Sequence, residues 1–271
     1  MIFRAAVLQA DSQDDKATNL AKVSRMIDEA AGKHADFVAM PEFVNYIGGR
    51  QGFIENAEDI PDGETSELFS RKAREHHIWI LGGSIAERNP DDDSHVYNTS
   101  AVFNPSGRFT AMYRKIHLAD HAALTESSVI TAGSSVTTFT TPFAKMGVAI
   151  CYDLRFPELF RAMALRGAKV IFVPSEFNII FGRDHWETLL RARAIENSCW
   201  IVAPNQIGTK RNMTSTGRSM IVDPWGNVIA KASDRECVIM AEIDTDYADT
   251  VRARMPSLNH RRPDVYGGVM R

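Results

Sequence analysis

Cys151 follows the apolar run Lys145-Met146-Gly147-Val148-Ala149-Ile150 and precedes the polar string Tyr152-Asp153-Leu154-Arg155-Phe156-Pro157-Glu158. That order reads as a strand, a sharp corner and a helix, which puts the thiol at the carboxyl end of a strand. Ligands of open α/β sheets collect at that edge. A tight corner there exposes the side chain and turns backbone N–H groups toward one point, the logic of a nucleophile elbow, although the serine-type G-x-S-x-G pattern is absent. Glu42 directly follows the short strand Asp36-Phe37-Val38-Ala39-Met40 and Pro41. A carboxylate that can take a proton from a thiol therefore also lies at a strand end. Lys115 closes a further strand in Tyr113-Arg114-Lys115-Ile116-His117-Leu118. A thiol, a base and a cation are the components of nucleophilic attack on an electrophilic carbon whose heteroatom becomes negative. Taken singly, each has a plainer reading: a small buried hydrophobe, a capping glutamate, an exposed strand-end lysine. Their convergence on strand ends, where one rim of a sheet would gather them, favours the catalytic reading.

The elements that must position these groups follow from periodicity and turn residues. Strands are expected near 3–9, 36–40, 78–86, 96–103 and 108–114, with helices near 15–33 and 64–76. Asn104-Pro105-Ser106-Gly107 marks a hairpin. From 115 to 136 the pattern lapses into a long irregular loop, a length that in compact domains usually serves function. Strands at 137–141 and 144–150, a helix at 155–167, a strand at 169–173 and a helix at 184–198 come next. Strands at 199–204, 217–222, 228–232 and 236–243 and a helix at 244–254 complete the chain. Strands and helices alternate, but hairpins intervene, so the reading is one α/β domain over 1–271 with a mixed sheet.

Composition excludes several classes of partner. The chain has 271 residues, 44% hydrophobic and 24% charged, with a formal net charge of −3 and a pI near 6.2. Neither value suggests a nucleic-acid or anionic-membrane partner. No apolar run reaches the roughly 18 residues needed to span a bilayer, and no secretory signal is expected at the N-terminus. Cys151, Cys199 and Cys237 are the 3 cysteines. They are too few and too scattered for a disulfide framework or a CxxC metal site, and they fit a reducing cytoplasm. Cys199 and Cys237 sit in apolar strand-like contexts and read as structural.

The chain resembles the nitrilase superfamily of carbon–nitrogen hydrolases. The likeness lies in Met40-Pro41-Glu42, in Tyr113-Arg114-Lys115-Ile116-His117-Leu118 and in the run from Gly147 through Cys151-Tyr152-Asp153-Leu154-Arg155-Phe156-Pro157-Glu158-Leu159. It continues through His185-Trp186-Glu187 to Arg191-Ala192-Arg193-Ala194-Ile195-Glu196-Asn197, Asp223-Pro224-Trp225-Gly226 and Arg261-Arg262-Pro263-Asp264. The resemblance implies a four-layer αββα sandwich with mixed sheets, a Glu42-Lys115-Cys151 triad, and a second glutamate that falls on Glu126 in the long loop. It also implies homo-oligomers, a dimer or larger, built on the helices at 155–167 and 184–198 and the tail. Cys-Tyr-Asp after the strand, where true nitrilases carry Cys-Trp-Glu, points to the branch of omega-amidases and deaminated-glutathione amidases. A small-molecule amide is then the expected substrate, with nitriles or N-carbamoyl compounds as alternatives on the same triad. Glu176, in Pro174-Ser175-Glu176-Phe177-Asn178, departs from that branch, whose members usually have a small residue there. Pointing into the pocket, it would disfavour carboxylate-bearing substrates.

On this reading Glu42 takes the thiol proton and Lys115 with the Tyr152 backbone N–H holds the oxyanion. One such donor is typically worth ~3 kcal/mol of barrier. Ammonia leaves with the proton from Glu42, and Glu42 then activates water against a thioester. Glu126 orients Lys115 or the amide. No cofactor or metal is called for. Tyr46, Arg155, Phe177 and Asn178 are the candidates for substrate contact, Arg155 for a carboxylate. Rival readings exist. His117-Leu118-Ala119-Asp120-His121 has metalloprotease spacing but lacks the glutamate after the first histidine. His185 could serve a Cys–His pair. A non-catalytic binding module could share the fold. A low-pKa, alkylation-sensitive Cys151 is the expected mark of the enzyme against the module.

Overall fold

The computed structural model describes residues 1–121, 124–211 and 213–267. In strand Ile2–Gln9, Phe3, Ala5 and Val7 enter one core cluster while Ala6 and Leu8 enter another. That is the period of two of a strand. Both faces are covered, so the strand reads as an unbroken apolar run. It pairs parallel to Phe37–Ala39, which pairs parallel to Trp79–Leu81, and Cys237–Asp244 flanks it antiparallel. Val96–Phe103 extends the sheet and pairs antiparallel with both Ile85–Arg88 and Phe109–Arg114.

A second sheet holds Lys145–Val148, Val170–Phe172 and Trp200–Ala203 in parallel. Thr138–Thr140, Met220–Val222 and Val228–Lys231 add antiparallel margins. The two sheets meet face to face, with the Phe37 ring stacked on Phe172 at 4.7 Å between centroids. Helices Lys16–Gly32 and Glu64–His76 cover the outside of the first sheet, and Pro157–Leu165 and Glu187–Asn197 cover the second. This is the expected αββα sandwich with mixed sheets. Its consequence for chemistry is direct: the carboxyl ends of Phe37–Ala39 and Lys145–Val148 open on the same edge, one from each sheet.

Several expected elements divide, each at an identifiable residue. The strand expected at 78–86 breaks at Gly82-Gly83. Gly83 has φ +61°, and a Cβ there would lie 2.0 Å from the Pro41 carbonyl oxygen. The break lets Ser84 receive the Glu42 segment: Phe43 N–H donates to Ser84 Oγ at 3.1 Å and Val44 N–H to the Ser84 carbonyl at 2.9 Å. The helix expected at 155–167 is preceded by a 3-10 turn, Cys151–Arg155, and starts only at Pro157, the position where a missing N–H costs nothing. The helix expected at 184–198 starts as a π turn, Gly182–Trp186, before Glu187–Asn197. The strand expected at 217–222 is shorter, because Gly217 and Arg218 take φ +65° and +56°. Ahead of it, Ile207–Thr209 and Thr214–Thr216 form a small hairpin that the sequence pattern hid. Helix Arg50–Glu55 was likewise hidden. Among the described residues, no helix is long and apolar enough to cross a membrane.

Candidate active site

Cys151 occupies a left-handed backbone conformation, φ +47°, which non-glycine residues rarely adopt and which needs surrounding structure to hold it. The hold is visible. Cys151 N–H donates to the Pro174 carbonyl at 2.9 Å and Asp153 N–H to that of Ile150 at 3.0 Å, with the Tyr152 amide at the apex between them. The buried Asp153 carboxylate accepts from Ile150 N–H at 2.8 Å, from the Tyr113 hydroxyl at 2.7 Å and from His117 N–H at 3.1 Å. The corner is therefore tied to the segment that carries Lys115.

Lys115, 2% exposed, lies between carboxylates. Its Nζ donates to Glu42 Oε1 at 3.0 Å and to both oxygens of Glu126 at 2.8 Å. Glu42 is equally buried. Asn98 Nδ2 donates to its Oε1 at 2.8 Å, and Glu176 N–H to its Oε2 at 2.8 Å. The Cys151 thiol lies near enough to the same carboxylate for each to act on the other's charge, and its Sγ lies 3.6 Å from the Glu176 carbonyl oxygen. Glu126 is fixed by its own loop, where Ala119 N–H donates to Oε2 at 2.7 Å.

Burial and the charge of Glu42 push the Cys151 thiol well above its ordinary range, with Lys115 opposing them. Burial also raises Glu42, against the pull of Lys115. For Lys115, burial works against the charge, yet Glu126 and Glu42 carry it well above the usual lysine value. The resting site thus holds an ammonium, flanked by the carboxyl groups of Glu42 and Glu126, beside a protonated thiol. This corrects the expectation of a low-pKa cysteine: burial and the neighbouring charge of Glu42 disfavour a free thiolate, and the same carboxylate is placed to take the proton as the sulfur attacks.

Residues 4–253 match the family model for carbon–nitrogen hydrolases. The chain belongs to the carbon–nitrogen hydrolase family. It is 40% identical over 270 residues to an omega-amidase NIT2 of Xenopus tropicalis, covering 97% of this chain and 96% of that one. The human omega-amidase NIT2 is 37% identical over 275 residues, covering 99% and 98%. The crystal structure of the NitFhit protein of Caenorhabditis elegans superposes with a TM-score of 0.93 at 39% identity, over 98% of this chain and 66% of that longer protein. The structure of Nit3 from Saccharomyces cerevisiae, a member of branch 10 of the nitrilase superfamily, gives 0.87 at 31% identity, covering 94% of each.

Within this carbon–nitrogen hydrolase, the structure gathers Glu42, Lys115, Glu126 and Cys151, and gives the other candidates contacts of their own. The Arg155 guanidinium lies 5.5, 5.4 and 5.6 Å from the Tyr152, Phe177 and Phe181 rings, and 3.3 Å from His185 Nδ1. No carboxylate pairs with it among the described residues. Phe177 is buried against Trp186, 5.1 Å between centroids. Asn178 spends its side-chain oxygen on Ile180 N–H at 2.9 Å, capping the turn Ile179–Phe181. Tyr46 packs edge-on to Phe53 at 5.6 Å and covers Gly48 and Gly52, so its contacts bind it to helix Arg50–Glu55. His117 is committed to Asp153 through Nδ1 at 2.7 Å and stacks on Phe156. His185 lies beside Arg155, in the π turn. Sequence reasoning missed Asn98, Asp153 and Tyr113. The signal for Asn98 was an amide inside an apolar strand, a group that must find a partner when buried.

Proposed function

We propose that this carbon–nitrogen hydrolase cleaves a small linear carboxamide through a thioester on Cys151. The supporting observation is the arrangement of one ammonium and one thiol on the same Glu42 carboxylate. Glu42 takes the thiol proton while the sulfur bonds to the amide carbon. The carbonyl oxygen, now negative, is met by Lys115 Nζ and the Tyr152 N–H, which are fixed before reaction and need no reorganisation. Glu42 returns the proton to the amide nitrogen, the carbon–nitrogen bond breaks and ammonia departs. A water then gives a proton to Glu42, its oxygen displaces sulfur, Glu42 passes that proton to the leaving sulfur, and the acid departs from the restored thiol. One carboxylate serves both halves, and Glu126 keeps Lys115 aimed. Every step uses groups of the chain itself. Arg155, an aromatic-rimmed cation on the turn that starts at Cys151, suits a carboxylate at the far end of the substrate. The omega-amidase relatives support an amide as the bond cleaved.

We take residues 1–271 as one domain, since the family match runs nearly end to end. The free thiols Cys151, Cys199 and Cys237 suit a reducing compartment, the cytoplasm. A homodimer would cover Leu165, Ile195 and Trp225, which are about half exposed on and beside the two outer helices.

The test is ammonia release from keto-amides, deaminated glutathione, aliphatic amides, N-carbamoyl compounds and nitriles. Cys151→Ala should abolish turnover with the fold intact, and quenched reactions of the unaltered enzyme should show an acyl adduct on the Cys151 peptide. Appreciable amidase activity in Cys151→Ala would end the proposal.

A further inference from the structure

Glu176 is an acid at the reacting centre that the proposed steps leave unused. Its backbone touches both reacting groups, donating its N–H to Glu42 at 2.8 Å and turning its carbonyl to Cys151 Sγ at 3.6 Å. The side chain therefore leaves from the wall of the site. The residue is partly exposed between the buried Ser175 and Phe177. Its Oε1 accepts from Ser215 Oγ at 3.0 Å. Its Oε2 has no partner among the described residues, and is not sealed from solvent as orphaned buried atoms are. Lys210, whose charge acts on it, gives its ammonium to Asp11 and to the Ile207 carbonyl. Burial, then the charge of Glu42, push the carboxyl up to about 8.

An acid so placed repels a second carboxylate. It welcomes a hydroxyl, with which it can exchange a hydrogen bond, or an ammonium, which converts it to an ion pair. Arg155, at the end of the turn that starts at Cys151, supplies the opposite charge. Phe177 links the two, following Glu176 in the chain and facing Arg155 with its ring.

We propose that Glu176 is a specificity-determining residue of the substrate pocket, taking an amino or hydroxyl substituent of the amide while Arg155 takes its carboxylate. The inference rests on the amidase reading above. It deepens that reading by naming ω-amides of amino or hydroxy acids, in preference to those of oxo acids, as the substrate class.

The test is kcat/KM for ω-amides of one chain length: glutaramate, L-glutamine, 2-hydroxyglutaramate and 2-oxoglutaramate. The unaltered enzyme should favour the amino or hydroxy compound over the oxo compound by about tenfold or more, the scale on which a site built for a polar substituent rejects its absence. Glu176→Ala should collapse that ratio to within about threefold. Glu176→Gln, which keeps the shape and a donor but not the charge, should lose the preference for the amino compound and keep that for the hydroxy compound. Ratios compare substrates on one preparation, so partial misfolding does not mimic the effect. Turnover of glutaramate with an unchanged ratio in both variants would overturn the role of Glu176 and leave the amidase reading standing. Absence of ammonia from all amides, with no acyl adduct on Cys151, would overturn both.

Discussion

The Tyr113 hydroxyl donates to Asp153 Oδ2 at 2.7 Å, joining the strand that ends in Lys115 to the turn that begins with Cys151. The same carboxylate takes Ile150 N–H, His117 N–H and His117 Nδ1. One buried anion thus receives donors from just before the nucleophile and from two residues on either side of Lys115. Burial, then the charge of Asp153, holds the Tyr113 phenol far above its ordinary range, so it stays a donor.

Asp153→Asn should separate positioning from binding. An amide replaces one acceptor oxygen with a donor, and the donors facing it lose their partner. Each unsatisfied buried group costs about 1–3 kcal/mol, so stability should fall by ~2–4 kcal/mol in denaturant unfolding. Misplacing Lys115 against Cys151 should lower kcat by about a hundredfold with KM within about threefold. A fall in stability with kcat unchanged would show that the carboxylate only holds the fold.

Thiol alkylation gives a second prediction with an uncommon sign. Glu42 raises the Cys151 pKa and Lys115 lowers it. Removing the negative charge in Glu42→Gln should therefore bring the thiol pKa down while depriving it of its base. Iodoacetamide should modify Cys151 in the unaltered protein only slowly at neutral pH. In Glu42→Gln the modification rate at pH 8 should rise several-fold while amide turnover falls by about a thousandfold or more. An equal or slower modification rate would contradict the charge arrangement.

Gly83 supplies a third. A Cβ at that position meets the Pro41 carbonyl oxygen at 2.0 Å, and the φ of +61° disfavours any L side chain. The backbone term alone is about 1–2 kcal/mol. Relief of the clash must shift Pro41 or Gly83, and Pro41 precedes Glu42. Gly83→Ala should lower stability by ~2–4 kcal/mol and kcat by about tenfold or more. Thermal unfolding and steady-state rates on the same sample check both.

Much of this was legible in the sequence because the reacting groups stand at strand ends. A strand announces itself by its apolar run, and the first polar residue beyond the run falls on the rim. That logic reached Glu42, Lys115 and Cys151 without the fold. Glu126 came only from family resemblance, since a glutamate in an irregular loop has no periodicity to place it. Asn98 sits in a segment that also spells a glycosylation pattern, and only pairing of its strand with Ile85–Arg88 and Phe109–Arg114 shows that its amide faces Glu42. Asp153 read as part of a polar turn, because its donors Tyr113 and His117 lie about 40 residues upstream in sequence. Tertiary partners of that kind leave no local trace. The split strand at Gly82-Gly83 was missed for a related reason: the need for glycine arises from the carbonyl of Pro41, just beyond the neighbouring strand Phe37–Ala39.

Glu176 gives a prediction on stability that does not depend on substrate. Its carboxyl titrates near 8 in the folded protein, against an ordinary value of 4.5. Between those values the folded chain keeps a proton that the unfolded chain has released. The folded state therefore binds more protons, and stability must fall as pH rises through that window. Glu176→Gln removes the titration but retains an oxygen for Ser215 Oγ. At pH 5 the variant and the unaltered protein should unfold at similar temperatures. At pH 8 the variant should be the more stable, by about 2–4 °C in Tm, the shift that ~1 kcal/mol produces in a chain of this size. Partial exposure of the side chain limits the gain to that scale. A Tm difference that stays constant from pH 5 to pH 8 would mean that Glu176 ionises as an ordinary carboxyl in the folded protein.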